Sequence, residues 1–506
     1  MIPSSWAAVP IVDVLALNQN GKPFQQGWSP QCESHPAPDE KWGVLKTTAI
    51  QPGVFWDHEN KQLPEHLEPR AHIEVRSGDL LMTCAGPRSR CGVVCLVEHT
   101  RPKLMMSGKM YRFRPNSEAM DAHFLAYFIQ SRAAQVAIDA MKTGISDSGL
   151  NLTHDRFAAL AVPIAPLNEQ RRIVAKIEEL FSELDKGVES LTTAREQLKA
   201  YRQSVLKHAF EGKLTEDWRL SNLAQLKNAE EIVDFVEKAR RTSLEVNTRV
   251  RNKPPAPFDD IDLPECPAAW AFVSMDSLCY HITSGSRDWS RFYDRGTSTF
   301  IMAQNVRAGR YDGSVIQRVD PPMDNAETER TRVQVDDILV TIVGANTGDV
   351  CRFPLDSETH YVCQSVALMR LACPEYARFV ELYFQSRSGG QRQYERYIYG
   401  AGRPHLSFEQ IKQTVVPIPD PREAAQIVRT VDKVFAELDA TETILDVELA
   451  RSKSLQQSIL NAAFSGQLVP QDASDEPASV LLERIRTEAD RANKRHNTKT
   501  RKKEAA

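Results

Sequence analysis

Two sets of hydrogen-bonding side chains stand at matching places in the two halves of this 506-residue chain. The first set is Lys46, Thr48, Lys61, Arg88, Arg90, Ser146 and Asn151; the second is Ser286, Arg287, Trp289, Asn305 and Arg403. Arginine grips guanine with two donors, asparagine grips adenine, and lysine and serine suit phosphate oxygens. The run Arg392, Tyr394, Arg396, Tyr397, Tyr399 and Arg403 interleaves charge with aromatic rings. Any one of these residues alone reads as an ordinary exposed charge; recurrence as a set singles them out. The formal net charge is −4, so a surface for nucleic acid has to be local.

Catalytic chemistry is not visible. The chain has no Gly-x-x-x-x-Gly-Lys-Ser/Thr loop for a nucleotide and no glycine run for S-adenosylmethionine or a dinucleotide. Asp320-Pro-Pro-Met323 lacks the aromatic that would stack on a flipped base, and reads as a turn. Pro38-Asp-Glu-Lys41 lacks a second acidic partner at nuclease spacing. Twelve histidines and nine scattered cysteines show no metal-binding spacing, so reduced thiols in cores are expected. Neither a signal peptide nor a run of 18 apolar residues is seen, and the expectation is a cytoplasmic protein without a metal or cofactor of its own.

The elements that must position these residues are duplicated. From Val162 to Leu214 the sequence aligns without a gap on Val416 to Leu468, with 19 identities in 53 positions. The preceding regions correspond with drifting offsets. Pro3-x-x-Trp6-x-x-Val9 matches Pro267-x-x-Trp270-x-x-Val273, and Ile50-x-x-Gly53 resembles Val306-x-x-Gly309. Asp79-Leu-Leu-x-Thr83-x-x-Gly86 resembles Asp337-Ile-Leu-x-Thr341-x-x-Gly344. A nearly constant segment thus follows a variable domain twice.

In the constant segment Ile177, Leu184, Leu191, Leu198 and Val205 recur every seven residues, with Ile173, Leu180, Ala194 and Tyr201 alongside. The second copy offers Val431, Leu438, Leu445 and Ile459, with Ile427, Val434 and Leu455. Such a period predicts two long helices pairing along a coiled-coil seam, antiparallel as the natural closure of two related halves. A helix from Asn168 to Phe210 would be roughly 65 Å long. Gly212 and Gly466 mark the ends. Phe181, Val188, Phe435 and Leu449 widen the apolar stripe and suggest further partner helices. Strands are expected at 71–75, 79–84, 92–97, 338–343 and 361–371, and helices at 119–141 and 374–386.

The expected organisation is a first globular domain at 1–161, a long helix at 162–225 and a helical, proline-rich linker at 226–267. A second globular domain at 268–415, a second long helix at 416–470 and a largely disordered, basic tail at 471–506 complete it. The fold class is α+β, with two pseudo-symmetric mixed domains separated by two long antiparallel coiled-coil helices.

Glu169-Gln-Arg-Arg-Ile-Val-Ala-Lys-Ile-Glu-Glu-Leu-Phe181, Leu206-Lys-His-Ala-Phe-Glu-Gly-Lys-Leu214, and the paired approaches Leu152-x-x-x-x-Phe157 and Leu406-x-x-x-x-Ile411 resemble the DNA specificity subunit of type I restriction–modification enzymes. The resemblance implies two target-recognition domains, each reading one half of a split, asymmetric site in double-stranded DNA. It implies helices that act as a ruler and dock two methyltransferase subunits, with restriction subunits joining. S-adenosylmethionine, ATP and Mg would belong to those partners. The family's Glu-Gln at the helix start is Glu423-Ala424 in the second copy, a departure expected to concern a helix cap. Two other classes remain open: a methyltransferase carrying its own reader, and a coiled-coil scaffold without DNA specificity.

Overall fold

The computed structural model describes residues 3–247, 265–285, 288–322, 325–355, 358–399, 402, 404–485 and 487. The chain divides into two compact units, one of residues 1–191 with 447–506 and one of 192–446.

In the first unit, a four-stranded antiparallel sheet runs in the order Gln25–Gln26, Met110–Phe113, Leu80–Thr83, Val94–Leu96. Leu80–Thr83 is its second internal strand, and all four of its residues are buried. A three-stranded sheet places Gly43–Leu45 between Leu104–Met105, in parallel, and Asn60–Gln62, antiparallel. Residues 71–75, expected as a strand, instead contain a 3-10 turn at Ala71–Ile73. The expected helix at 119–141 is two, Ala122–Gln130 and Arg132–Met141, because Ser131 takes an extended backbone and caps the second.

The second unit repeats the plan. Its four-stranded sheet runs Cys279–Ser284, Val366–Leu371, Ile338–Thr341, Val350–Arg352. Tyr293–Ile301 sits between Gln317–Val319 and, in parallel, His360–Val362. Each unit also closes its ends with one antiparallel strand pair: Ala7–Pro10 on Ala161–Ile164, and Ala271–Ser274 on Val415–Ile418.

The repeated Asp-Leu/Ile-Leu motif explains itself physically. Asp79 and Asp337 are buried at the start of equivalent strands. Asp79 accepts from Arg114 at 2.6 Å, Arg112 at 3.2 Å and the Arg76 amide at 2.8 Å. Asp337 accepts twice from Arg370 at 2.7 Å, and from the Gln334 amide at 2.7 Å. A buried carboxylate is tolerated only when so paired.

The two long helices are Leu167–Phe210 and Pro421–Phe464, each 44 residues and starting at equivalent positions. Their halves belong to different units. In the first unit Ile173, Val174 and Ile177 share a core with Ile459, Leu460, Ala463 and Phe464. In the second, Val205, Leu206, Ala209 and Phe210 share one with Ala424, Ile427, Val431, Phe435 and Leu438. Each globular domain is therefore completed by the start of its own helix and the end of the other copy's. There the helical segments run antiparallel: Arg195 pairs with Asp446 at 3.4 Å and Glu442 at 3.7 Å, and Arg202, further on, pairs with the earlier Asp439.

The expected seam is corrected at one repeated position. Tyr201 and Leu455, which are equivalent, are both exposed, at 53% and 48%. Burial concentrates where a globular domain lies against the helix, so a seven-residue period alone overstates the seam.

The helix ends use glycine for a stated reason. Gly212 and Gly466 have φ of +67° and +73°, and a Cβ on either would lie 2.7 Å from the Cδ of Pro267 or Pro3. Each helix end thus meets the first residues of the globular domain in its unit. Beyond it, Thr215 and Arg219 bind the buried Glu423 at 2.8 and 2.6 Å, where Trp270 Nε1 also donates at 3.1 Å. In the first unit Gln471 donates to the equivalent Glu169, and Arg172 pairs with Asp475 at 2.7 Å. The tail is accordingly not wholly disordered: residues 478–485 are helical, with Ala478 and Leu482 in the core. Residues 488–506 lie outside the described residues.

Gln170, the glutamine absent from the second copy, is not a cap for its own helix. It is buried and ties the helix start to the preceding loop, accepting from the Asp121 amide at 2.8 Å and donating to Ala119 O at 3.0 Å.

Candidate nucleic-acid interface

In the first unit the strand alternation of Asn60–Gln62 buries Asn60 and Gln62 and leaves Lys61 exposed opposite Val44. Lys46 follows the paired strand and leads into a 3-10 turn, Thr47–Ala49, and the hairpin Ile50–Gln51/Val54–Phe55. Lys46 (3.4 Å) and the Thr48 hydroxyl converge on Glu59. The Thr48 hydrogen bond, reinforced by Lys46, holds the Glu59 carboxyl below the ordinary range.

A second group surrounds the loop after Leu80–Thr83. Ala85–Gly86 pairs with Leu150–Asn151, placing Asn151 opposite Ala85. Gly86 has φ +142°, which lets the chain turn there. Arg88 pairs with Asp139 at 2.6 Å and Asp147 at 3.1 Å. The Lys142 ammonium beside Asp139 holds that carboxyl below its ordinary value. Ser146 and Ser148 hydroxyls lie 2.9 Å apart.

Arg90 joins the two groups. Its guanidinium donates to the carbonyls of Ile50, at 2.7 Å, and Thr47, and to Gln51 Oε1 at 3.4 Å. With Nη2 committed to two backbone carbonyls, it acts as a clamp rather than as an extended reader. The structure thus places six residues of the first set on two groups of turns and strand ends joined by Arg90, while Lys61 projects from the middle of the strand Asn60–Gln62.

The second set fares differently. Trp289 is buried in a core, stacked on Phe300 at 5.5 Å and edge-on to Tyr361 at 5.4 Å. Asn305 is buried too: it donates to Asp312 O and Val315 O at 2.8 and 2.7 Å and accepts from the Met302 amide at 2.9 Å. Both expectations are corrected, since each polar group is satisfied internally or enclosed. Ser286, Arg287 and Arg403 lie outside the described residues. Within the aromatic run, Tyr394 is a core residue stacked on Phe384 at 4.9 Å.

What takes the equivalent place is a pair of which the aromatic run supplied Tyr399 and residue-type reasoning passed over His405. Isolated bridges join Val343 to His405 and Tyr399 to His405, and the Tyr399 hydroxyl lies 3.2 Å from His405 Nδ1. The gapless offset of the repeat puts His405 opposite Asn151, which was the available signal. In the first unit, Trp56, 43% exposed, stacks on His58 at 5.8 Å beside Glu59. A single exposed tryptophan gives no sequence pattern.

The helix positions expected to meet partners are also redirected. Phe181 packs edge-on against Tyr127 at 5.7 Å, at the margin of the first unit's own core. Phe435 is buried in the second unit's core, with the Arg202 guanidinium 4.4 Å from its ring. Their breadth serves the globular domains. Val188 and Leu449 are half-buried, while Ile444 and Val447 on the second helix are 62% and 59% exposed.

Among the described residues no three His, Cys, Asp or Glu side chains gather as a metal site requires, and no helix is long and apolar enough to cross a membrane. The nine cysteines are free thiols, seven of them buried.

A family model described as the type I restriction modification DNA specificity domain matches residues 70–193. The specificity subunit of the Escherichia coli type I restriction enzyme EcoEI is 35% identical over 196 residues, 38% of this chain. That match spans 32% of the EcoEI subunit's length. The specificity subunit of the Salmonella potsdam enzyme StySPI is 23% identical over 503 residues, 96% of each chain. A solved chain from work on complex assembly and conformational transition of the type I restriction–modification system superposes with a TM-score of 0.64, covering 92% of this chain and 99% of that one at 18% identity. The fold is shared. In sequence, the family model takes in the first copy of the long helix as far as residue 193.

Proposed function

We propose that this chain, which resembles the type I specificity subunits in sequence and fold, reads a bipartite, asymmetric site in double-stranded DNA through its two globular domains. It docks two methyltransferase subunits and restriction subunits through its helices, acts in the cytoplasm, and carries no catalysis or cofactor of its own. The observation that carries this is a contrast inside one chain. Helices and scaffold repeat, down to Glu169/Glu423 and Gly212/Gly466, whereas equivalent loops differ in chemistry: Arg88, Asp147 and Asn151 in one domain, Tyr399 and His405 in the other. One scaffold with two surfaces suits two different half-sites.

Lys46, Thr48, Lys61, Arg88, Ser146 and Asn151 supply phosphate and base-edge contacts in the first domain. Arg90 holds their loops together. The exposed Val447, with the half-buried Val188 and Leu449 of the same unit, faces the docking subunits.

Replacement of residues 1–161 by the corresponding domain of another specificity subunit tests the reading, with methylome sequencing of cells that express the whole complex. One half-site changes and the other stays. A methylation pattern unchanged at both halves overturns the assignment. Insertion of four residues beside Leu191, roughly 6 Å of helical rise, lengthens or abolishes the accepted spacer; unaltered spacing counts against a helical ruler.

A further inference from the structure

We propose that the Nε–Nη2 edge of Arg88 is a phosphodiester subsite, held in the unbound protein by the Asp147 carboxylate. This rests on the DNA-reading function above and assigns one of its contacts.

The two carboxylates on Arg88 are not equivalent. Asp139 lies on the helix Arg132–Met141 and accepts from Nη1 at 2.6 Å. It is also bound, at 2.9 Å, by Lys142, whose side chain is only 6% exposed and which donates to Arg88 O at 3.0 Å as well. That pair fixes the backbone and one edge of Arg88. Asp147 is 77% exposed, lies in the exposed stretch 144–149, and takes Nε at 3.2 Å and Nη2 at 3.1 Å through one oxygen.

The Nε–Nη2 edge is the side-on fork that arginine offers to carboxylate and phosphate alike. A phosphodiester can therefore replace Asp147 bond for bond while Asp139 keeps the guanidinium oriented. Little side-chain entropy remains to be lost on binding, because Arg88 is already ordered. Until displaced, Asp147 competes for the edge and repels incoming phosphates, which lowers affinity for DNA of any sequence. In the second domain the described residues of the equivalent loop carry the Tyr399–His405 pair in its place.

The test is a double-mutant cycle on the full-length chain, binding random-sequence duplex DNA, read by fluorescence anisotropy across a salt series. Asp147→Asn tightens binding by roughly two- to fivefold, the range of an exposed ion pair. Arg88→Ala weakens binding and lowers the salt slope by about one. In the Arg88→Ala background Asp147→Asn has no effect. An unchanged affinity in Asp147→Asn overturns the subsite, and so does an equal gain in the Arg88→Ala background, which marks a general charge effect. Either result leaves wild-type binding intact. A wild-type chain that binds no DNA overturns the DNA-reading function itself. Unchanged thermal melts verify that the exposed Asp147 variant folds.

Discussion

Arg370→Ala should destabilise the second unit's main sheet more at neutral pH than in acid. Asp337 is 1% exposed, and its two charged hydrogen bonds of 2.7 Å both come from Arg370. Removing the arginine leaves a buried carboxylate with only the Gln334 amide, a loss of about 3–5 kcal/mol for a broken buried pair. Burial already pushes the Asp337 carboxyl up, against the pull of Arg370. A carboxyl raised in the folded state stabilises the fold below its unfolded value and loses that contribution as pH rises through the folded value. Without Arg370 the folded value climbs further, so the penalty is smaller in acid than at about pH 8.

Hydrogen exchange, corrected for intrinsic rates, reads this locally in Ile338–Thr341 and Val366–Leu371. Protection there should fall roughly a hundred- to several-thousand-fold near pH 8, at about 1.4 kcal/mol per tenfold. The equivalent strand Leu80–Thr83, held by Asp79 with Arg112 and Arg114, serves as the internal control and should not change. Asp337→Leu with Arg370→Met should recover most of the loss, because the charge is removed along with its partner. A fall of less than tenfold, or the same fall at both pH values, refutes the reasoning.

Glycine substitutions within the first long helix and just beyond its end should have opposite signs. Gly187→Ala, with open space around its Cβ, gains about 0.5–1 kcal/mol in thermal or urea melts. Gly212→Ala, at φ +67° against Pro267, loses at least about 1–2 kcal/mol in the same assay. Lys61→Ala should weaken DNA binding evenly across sequences and lower the salt slope by about one. Phe210→Ala empties a fully buried site between Phe379 and Tyr383, at 5.2 and 5.1 Å, and should cost about 3–5 kcal/mol.

The duplication, the long helices, their glycine stops and most core strands were legible in the sequence, because each is a local or periodic property. Helix starts at equivalent positions follow from a gapless repeat; the apolar run at Ile338–Thr341 follows from burial on both faces. The fates of individual polar residues were not legible. Trp289 and Asn305 look like Arg88 and Asn151 in a linear reading, yet loop closure spends the first pair inside the protein and leaves the second pair on neighbouring loops. Arg90 differs from Arg88 only in which carbonyls and carboxylates the fold brings to it.

Phe181 and Phe435 show the same limit. Their types and spacing declare an apolar face, and only packing decides whether that face meets the chain's own domain or another protein. The sequence by itself determined that one helix and one scaffold occur twice. The tertiary structure alone decided that the end of each helix completes the globular domain of the other copy, since that pairing joins residues hundreds of positions apart, such as Arg172 with Asp475 and Arg219 with Glu423. Local propensity and period carry no record of such contacts; they arise when distant surfaces of matching shape and charge are buried together.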